Sequence, residues 1–92
     1  MAAKKNILVI DDHQDIVTIL RTILEGKGFE VQDARDGEQG LSRIKETKPD
    51  LIILDIMMPK MDGLEMLSRL KEDTNTRSIP VIILTAKRPE EA

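Results

Sequence analysis

Oxygen-bearing side chains follow three aliphatic runs of this sequence, at the point where each run ends. Asp11 and Asp12 come directly after the run at residues 7–10, Asp55 after the run at 51–54, and Thr85 after the run at 81–84. An ionised carboxylate at the rim of an apolar core is costly unless it is paired or bound to a cation. These four residues are therefore the candidates for chemistry.

Three carboxylates in one pocket would repel one another. At about 4 Å and an effective dielectric constant near 20, each pair of charges costs about 4 kcal/mol. Either raised pKa values that neutralise some of the acids or a bound cation would remove this cost. A set of oxygen ligands with no His or Cys suits a hard divalent ion such as Mg²⁺. A carboxylate beside Mg²⁺ can also attack phosphorus and form an aspartyl phosphate. The residue types thus favour a metal-dependent phosphoryl site.

The runs that carry these residues have the character of buried strands. Residues 7–10, 51–54 and 81–84 are short and continuously aliphatic, which is typical of strands covered on both faces. A weaker run, residues 29–31, predicts a peripheral strand. Because helical periodicity separates the runs, the sequence predicts an α/β fold with a parallel sheet and right-handed crossovers. Parallel strands bring their carboxyl ends to one rim, where ligands bind.

Three amphipathic helices are predicted between the strands. The first helix ends at Gly26 and Gly28. The second helix begins at Asp36 and the third at Asp62, and each of these residues is followed three positions later by a Gln or Glu, which is capping-box spacing. Asp12, before the first helix, is followed by an acid at the same offset. The apolar positions that define the helices are Ile16, Ile19, Leu20, Ile23 and Leu24, then Leu41 and Ile44, then Leu64, Leu67 and Leu70.

Bulk composition limits the class of protein. The 92 residues suffice for one domain, assigned to residues 1–92, and a net charge of −3 with scattered basic residues argues against a nucleic-acid surface. The chain contains no cysteine, and its longest uninterrupted aliphatic runs are far too short to span a membrane. We expect a cytoplasmic domain without nucleic-acid or membrane partners.

The acidic motifs, taken in order and spacing, resemble the receiver domain of bacterial two-component response regulators. The resemblance covers essentially the whole chain. It implies a flavodoxin-like sheet in the order 2-1-3-4. The residues that carry it are Asp11-Asp12 after the first strand, Asp55-x-x-x-Pro59 with Asp62-Gly63 after the third, and Thr85-Ala86 after the fourth.

The resemblance also implies a role for each site residue. Asp55 would be the phosphoacceptor, and Thr85 would hydrogen-bond the phosphoryl oxygen. Asp11, Asp12, Asp55 and the main-chain carbonyl of Met57 would bind Mg²⁺. The phosphoryl donor would be a phosphohistidine on a sensor histidine kinase. The domain would be a signalling switch that modifies itself, not an enzyme acting on a separate substrate.

The printed sequence departs from the family after the fourth strand. Receiver domains continue through a fourth helix, a fifth strand and a fifth helix, and their fifth strand ends in a Lys that pairs with the phosphoryl group. No residue of the printed sequence matches that Lys. Lys48-Pro49 precedes the third strand, and Lys87 follows Thr85-Ala86 too closely to lie at the end of a fifth strand. We therefore expect a truncated receiver domain with impaired phosphorylation. Its exposed fourth-strand edge should also favour a homodimer.

Other interpretations remain open at this point. The chain is alternatively an assembly fragment that associates through its fourth strand without signalling, or, less favoured, a flavodoxin-like cofactor binder or Mg²⁺-dependent phosphohydrolase. Asp12 could simply cap the first helix. His13 at an exposed helix start favours a solvated residue over a ligand, and Met57, Met58 and Met61 favour loop packing over a soft-metal site.

Overall fold

The computed structural model describes residues 4–56 and 63–84, which form alternating strands and helices. The elements are β1 Asn6–Ile10, α1 Gln14–Gly26, β2 Glu30–Ala34, α2 Gly37–Glu46, β3 Leu51–Asp55, α3 Gly63–Glu72 and β4 Val81–Leu84. This order is the one that the change from aliphatic runs to helical periodicity predicts. The described part of the chain includes no helix that is long and apolar enough to cross a membrane.

The four strands form one parallel sheet in the order β2-β1-β3-β4. In the register of the central pair, Ile10 lies beside Leu54, so β1 and β3 end level with each other. The backbone ladder continues past both ends, because Asp11 N–H donates to the carbonyl of Ala34 and Ile56 N–H donates to that of Leu84. The predicted α/β class and strand order are confirmed, and the polar strand ends share one rim.

The second strand is longer than the sequence pattern indicates. The pattern predicts residues 29–31, whereas β2 extends from Glu30 to Ala34. Only Val31 and Ala34 of β2 are buried, and the strand contains polar Gln32 and Asp33. Five successive pairs with β1 extend the strand through these residues, so backbone pairing overrides the missing apolar signal.

Helix α1 forms as predicted and packs on the sheet through part of its apolar pattern. Val17 is buried, and Leu20 and Leu24 are partly buried against the strands. Ile19 and Ile23, which also belong to the pattern, are exposed. The predicted end of α1 is confirmed at Gly26, and Gly28 follows with a φ of +96°, a backbone conformation that glycine adopts without strain.

The predicted caps of the three helices have different outcomes. Asp36 caps α2 as predicted, since its Oδ1 accepts a 2.8 Å hydrogen bond from Gln39 N–H. The alternative that Asp12 caps α1 is wrong: the N-cap is His13, which makes no side-chain capping bond. The predicted cap at Asp62 lies outside the described residues.

Two apolar clusters fill the two faces of the sheet. The larger cluster lies beneath α2 and α3, and the smaller lies beneath α1. The larger consists of Leu8, Ile10, Ala34, Ile44, Ile52, Leu54, Met66, Leu70 and Ile79. The smaller consists of Ile7, Val9, Val17, Val31 and Ile53, with Phe29 and several leucines packed against it. Both clusters support the central strands β1 and β3, which carry the candidate site residues.

Candidate functional site

The central strands fix the positions of two carboxylates. Asp55 is the last residue of β3, and Asp11 directly follows β1. Because these strands are neighbours and end level, the two side chains meet at the carboxyl rim of the sheet. The Asp11 backbone is also held by its hydrogen bond to the carbonyl of Ala34, at 3.0 Å. The core beneath the rim therefore orients both acids.

These two acids are buried, whereas a third lies at the surface beside them. The exposed fractions of Asp55 and Asp11 are 0% and 2%, and Asp12 is exposed. Asp11, Asp12 and Asp55, together with His13, each offer a donor atom, and all four atoms lie within 4.8 Å of one another. At such separations the ionised carboxylates repel strongly, which favours binding of a cation.

His13 contacts all three acids of this cluster. Its Nδ1 lies 3.0 Å from Asp11 Oδ1, 3.2 Å from Asp12 Oδ1 and 3.8 Å from Asp55 Oδ2. Its backbone N–H also donates to Asp11 Oδ1, at 2.9 Å. The hydrogen bond with Asp11, followed by the nearby charge of Asp12, raises the pKa of His13 above its ordinary value. When it is protonated, the imidazole partly offsets the negative charge of the acids.

Gly63, the first residue of α3, brings that helix against the strand that carries Asp55. Its N–H donates to the carbonyl of Ile56, at 3.0 Å. A Cβ atom at Gly63 would lie 2.5 Å from the Asp55 carbonyl oxygen and 2.6 Å from Ile56 Cα. Because both neighbours are backbone atoms, no side chain fits here, and glycine allows the helix to begin directly behind the site.

The donor set fits a hard divalent cation. Two buried carboxylates and one exposed carboxylate supply oxygen atoms, with room on the solvent side where Asp12 lies. Mg²⁺ prefers such sites, in which a few carboxylates bind it and waters or phosphate oxygens complete the octahedron. Asp11, Asp12 and Asp55 are the described residues that would hold it.

The structure brings together the three acids that the sequence pattern selected. Asp11, Asp12 and Asp55 converge as predicted, whereas the predicted positions of Met57 and Thr85 lie outside the described residues. His13 is exposed as expected, but sequence reasoning did not predict its contacts with the three acids. Its adjacency to Asp11-Asp12 was the available signal, but spacing alone does not show which way a side chain at a helix start turns.

Comparison with models of known protein families identifies the family of the domain that carries this acidic site. Residues 7–92 match the model of the response regulator receiver domain. The chain belongs to this family. The match covers the strand ends that carry the acids and all of the described sheet except Asn6.

Two named relatives illustrate the similarity of the receiver domain. The chain is 45% identical, over 94% of its length, to the alkaline phosphatase synthesis transcriptional regulatory protein PhoP of Bacillus subtilis, and covers 35% of that protein. The N-terminal domain of a response regulator receiver protein from Methanoculleus marisnigri JR1 is 49% identical, with a TM-score of 0.88 over 98% of this chain and 75% of that one. The chain thus spans about a third of this curated relative.

A second similar structure is that of a phosphorylated protein. The phosphorylated cyanobacterial phytochrome response regulator RcpA is 30% identical, with a TM-score of 0.86 over 97% of this chain and 70% of that one. The predicted family and its flavodoxin-like receiver fold are confirmed. The expected absence of a nucleic-acid partner finds no support, because PhoP is named a transcriptional regulatory protein.

Proposed function

We propose that this receiver domain is a cytoplasmic signalling switch that accepts a phosphoryl group on Asp55 from the phosphohistidine of a sensor histidine kinase. The observation that carries the proposal is the convergence of Asp11, Asp12 and a fully buried Asp55 within 4.8 Å at one rim of the sheet. Such crowding of acids is well suited to binding Mg²⁺ and an incoming phosphoryl group together.

In the proposed reaction, a carboxylate oxygen of Asp55 attacks the phosphorus atom. The new O–P bond forms as the P–N bond to the donor histidine breaks, and the imidazole leaves with the electrons of that bond and takes a proton. The rigid position of Asp55 at the end of β3 aligns the attacking oxygen. Mg²⁺, when bound, offsets the negative charge of the carboxylates and the phosphoryl oxygens.

Two further residues complete the proposed site. The main-chain carbonyl of Met57 would provide another Mg²⁺ ligand, and the hydroxyl of Thr85 would donate a hydrogen bond to a phosphoryl oxygen. Both roles rest on family resemblance. The domain undergoes the reaction itself and has no separate substrate, so we do not propose an enzyme. We expect slow phosphorylation of the 92-residue polypeptide, because its sequence carries no match to the family's fifth-strand Lys.

Incubation with acetyl phosphate and Mg²⁺, followed by intact mass spectrometry, tests the proposal. We expect a gain of one phosphoryl group that is stable in acid and labile in base, and that is lost in Asp55→Asn. Asp15→Asn is the matched control, because it removes an exposed acid from the first turn of α1 outside the cluster. Equal labelling of the wild type and Asp55→Asn would overturn Asp55 as the acceptor.

We also propose that the 92-residue polypeptide forms a homodimer through β4. In the described sheet β4 lies at the edge, and Ile82 is 49% exposed although its register partner Ile53 is buried in the cluster beneath α1. An apolar edge strand offers unpaired backbone groups and side chains to a second copy. If phosphorylation fails while the dimer forms, the assembly-fragment alternative is supported.

Sedimentation velocity at micromolar concentrations tests the dimer. Ile82→Lys places a charge on the edge strand, and we expect it to weaken dimerisation by about tenfold or more. The matched control is Leu64→Lys, which adds the same charge at an exposed leucine of α3. A wild-type chain that stays monomeric, or equal effects of the two variants, would contradict the proposed interface.

A further inference from the structure

The position of the His13 ring relative to the acids has the spacing of a metal ligand. At metal–ligand distances of about 2.1 Å, adjacent ligands of an octahedron lie about 3.0 Å apart and opposite ligands about 4.2 Å apart. His13 Nδ1 lies 3.0 Å from Asp11 Oδ1 and 3.2 Å from Asp12 Oδ1, which correspond to adjacent positions. Its distance to Asp55 Oδ2, 3.8 Å, falls between the two values.

An imidazole in this position changes which cation the site prefers. Mg²⁺ binds oxygen ligands and gains little from nitrogen, whereas Zn²⁺, Co²⁺ and Ni²⁺ bind imidazole well. A Zn²⁺ ion bound by three carboxylates and one imidazole has ligands that are all ordinary for zinc in proteins. His13 therefore adds affinity for borderline transition cations that the carboxylates alone do not provide.

The ring can take this position without moving a strand. His13 is the N-cap of α1, its side chain is 49% exposed, and it makes no side-chain capping bond. In the described structure Nδ1 lies within hydrogen-bond distance of Asp11 Oδ1, to which a proton on Nδ1 would be donated. When Nδ1 binds a metal ion, that proton leaves to solvent and the nitrogen lone pair forms the metal bond, so the contacts with the acids are replaced by a shared ion.

We propose that His13 is a fourth side-chain ligand which makes the Asp11–Asp12–Asp55 site selective for a borderline divalent transition cation, with Zn²⁺ as the probe. The proposal rests on the proposed metal site but is separable from phosphorylation of Asp55. Under this proposal the same pocket binds Mg²⁺ through oxygen atoms alone and Zn²⁺ through oxygen atoms and Nδ1.

Calorimetric titration of the untagged 92-residue chain with Zn²⁺ and with Mg²⁺ tests the proposal. His13→Gln should weaken Zn²⁺ binding by about tenfold or more and leave Mg²⁺ binding within about threefold. Because His13 is the chain's only histidine, imidazole scattering in the zinc absorption-edge spectrum of the wild type reports this residue alone. The signal should disappear in the variant.

The double variant His13→Gln/Gln14→His is the matched control, because it keeps the composition and moves the imidazole by one exposed position. It should bind Zn²⁺ as weakly as His13→Gln. Equal weakening of both ions by His13→Gln, or no weakening of Zn²⁺, overturns the role of His13. Labelling of Asp55 by acetyl phosphate, measured on the same variants with Mg²⁺, shows separately whether the proposed function stands.

Discussion

The two faces of the sheet are covered to different extents. On one face, α2 and α3 together bury nine apolar residues, including Ile52 and Leu54 of β3. On the other, α1 is the one helix of the described residues that covers a cluster of five, and Ile82 of β4 is 49% exposed on that side. Since β1 and β3 contribute to both clusters, the difference arises from the helices and not from the central strands.

On the less covered face, polar contacts from one arginine add to the packing of α1. Arg21 of α1 donates to the carbonyl of Val31, at 2.8 Å, and to Asp33 Oδ1, at 2.6 Å, and so joins α1 to β2. The corresponding helices of the other face meet the sheet mainly through buried side chains such as Ile44, Met66 and Leu70. Stability should therefore depend chiefly on the face beneath α2 and α3.

The largest expected effect comes from truncating a residue of the well-covered face. Ile52→Ala should lower the free energy of unfolding by about 2–5 kcal/mol, because Ile52 is fully buried and its loss leaves a cavity. Ile82→Ala makes the same change on the other face and should cost the monomer, at concentrations below dimerisation, about 1 kcal/mol or less. Urea unfolding followed by circular dichroism measures both, and similar costs would contradict the unequal coverage.

A smaller effect is expected where α3 meets the sheet. Gly63→Ala introduces a Cβ against the backbone of Asp55 and Ile56, and neither can give way by rotating a side chain. We expect a loss of about 1–3 kcal/mol, typical of overpacking. Gly26→Ala is the matched control, since an added Cβ there meets nothing within 4 Å. Equal unfolding midpoints for the two variants would show that α3 is free to shift.

The smallest effect should come from the polar link on the α1 face. Arg21 and Asp33 are both about one-third exposed, so their ion pair is partly screened by solvent. A double-mutant cycle with Arg21→Gln and Asp33→Asn should give a coupling of about 1 kcal/mol or less, decreasing with added salt. A larger coupling that is insensitive to salt would mean that this contact, and not packing, secures α1.

The parts of the fold that the sequence predicted are those with a strong local signal. Continuous aliphatic runs predicted β1, β3 and β4, and parallel topology then brought Asp11 and Asp55 to one rim. The apolar pattern predicted α1 but not which of its apolar residues are buried, because Ile19 and Ile23 belong to the pattern and are exposed. Aliphatic residues on two sides of a helix leave its rotation ambiguous until the packing partners are known.

The same distinction applies at the candidate site. The convergence of Asp11, Asp12 and Asp55 follows from a strand order that the family resemblance implied, since the alternation of elements predicts only a parallel sheet. The contact of His13 with these acids depends on where α1 begins and which rotamer the ring adopts. Capping spacing favoured a start at Asp12, whereas the N-cap is His13, so this part of the site could not be predicted from residue types alone.

The start of α3 has a consequence for how this domain can transmit a signal. Backbone meets backbone between Gly63 and the end of β3, with no side chain between them to absorb a small displacement by rotating. Because peptide planes are stiff, a shift of the Asp55 carbonyl would displace the start of α3, and the helix would move as one body. Such a push would carry Met66 and Leu70 with it, and a local event at the rim would reach the interior through mechanical contact.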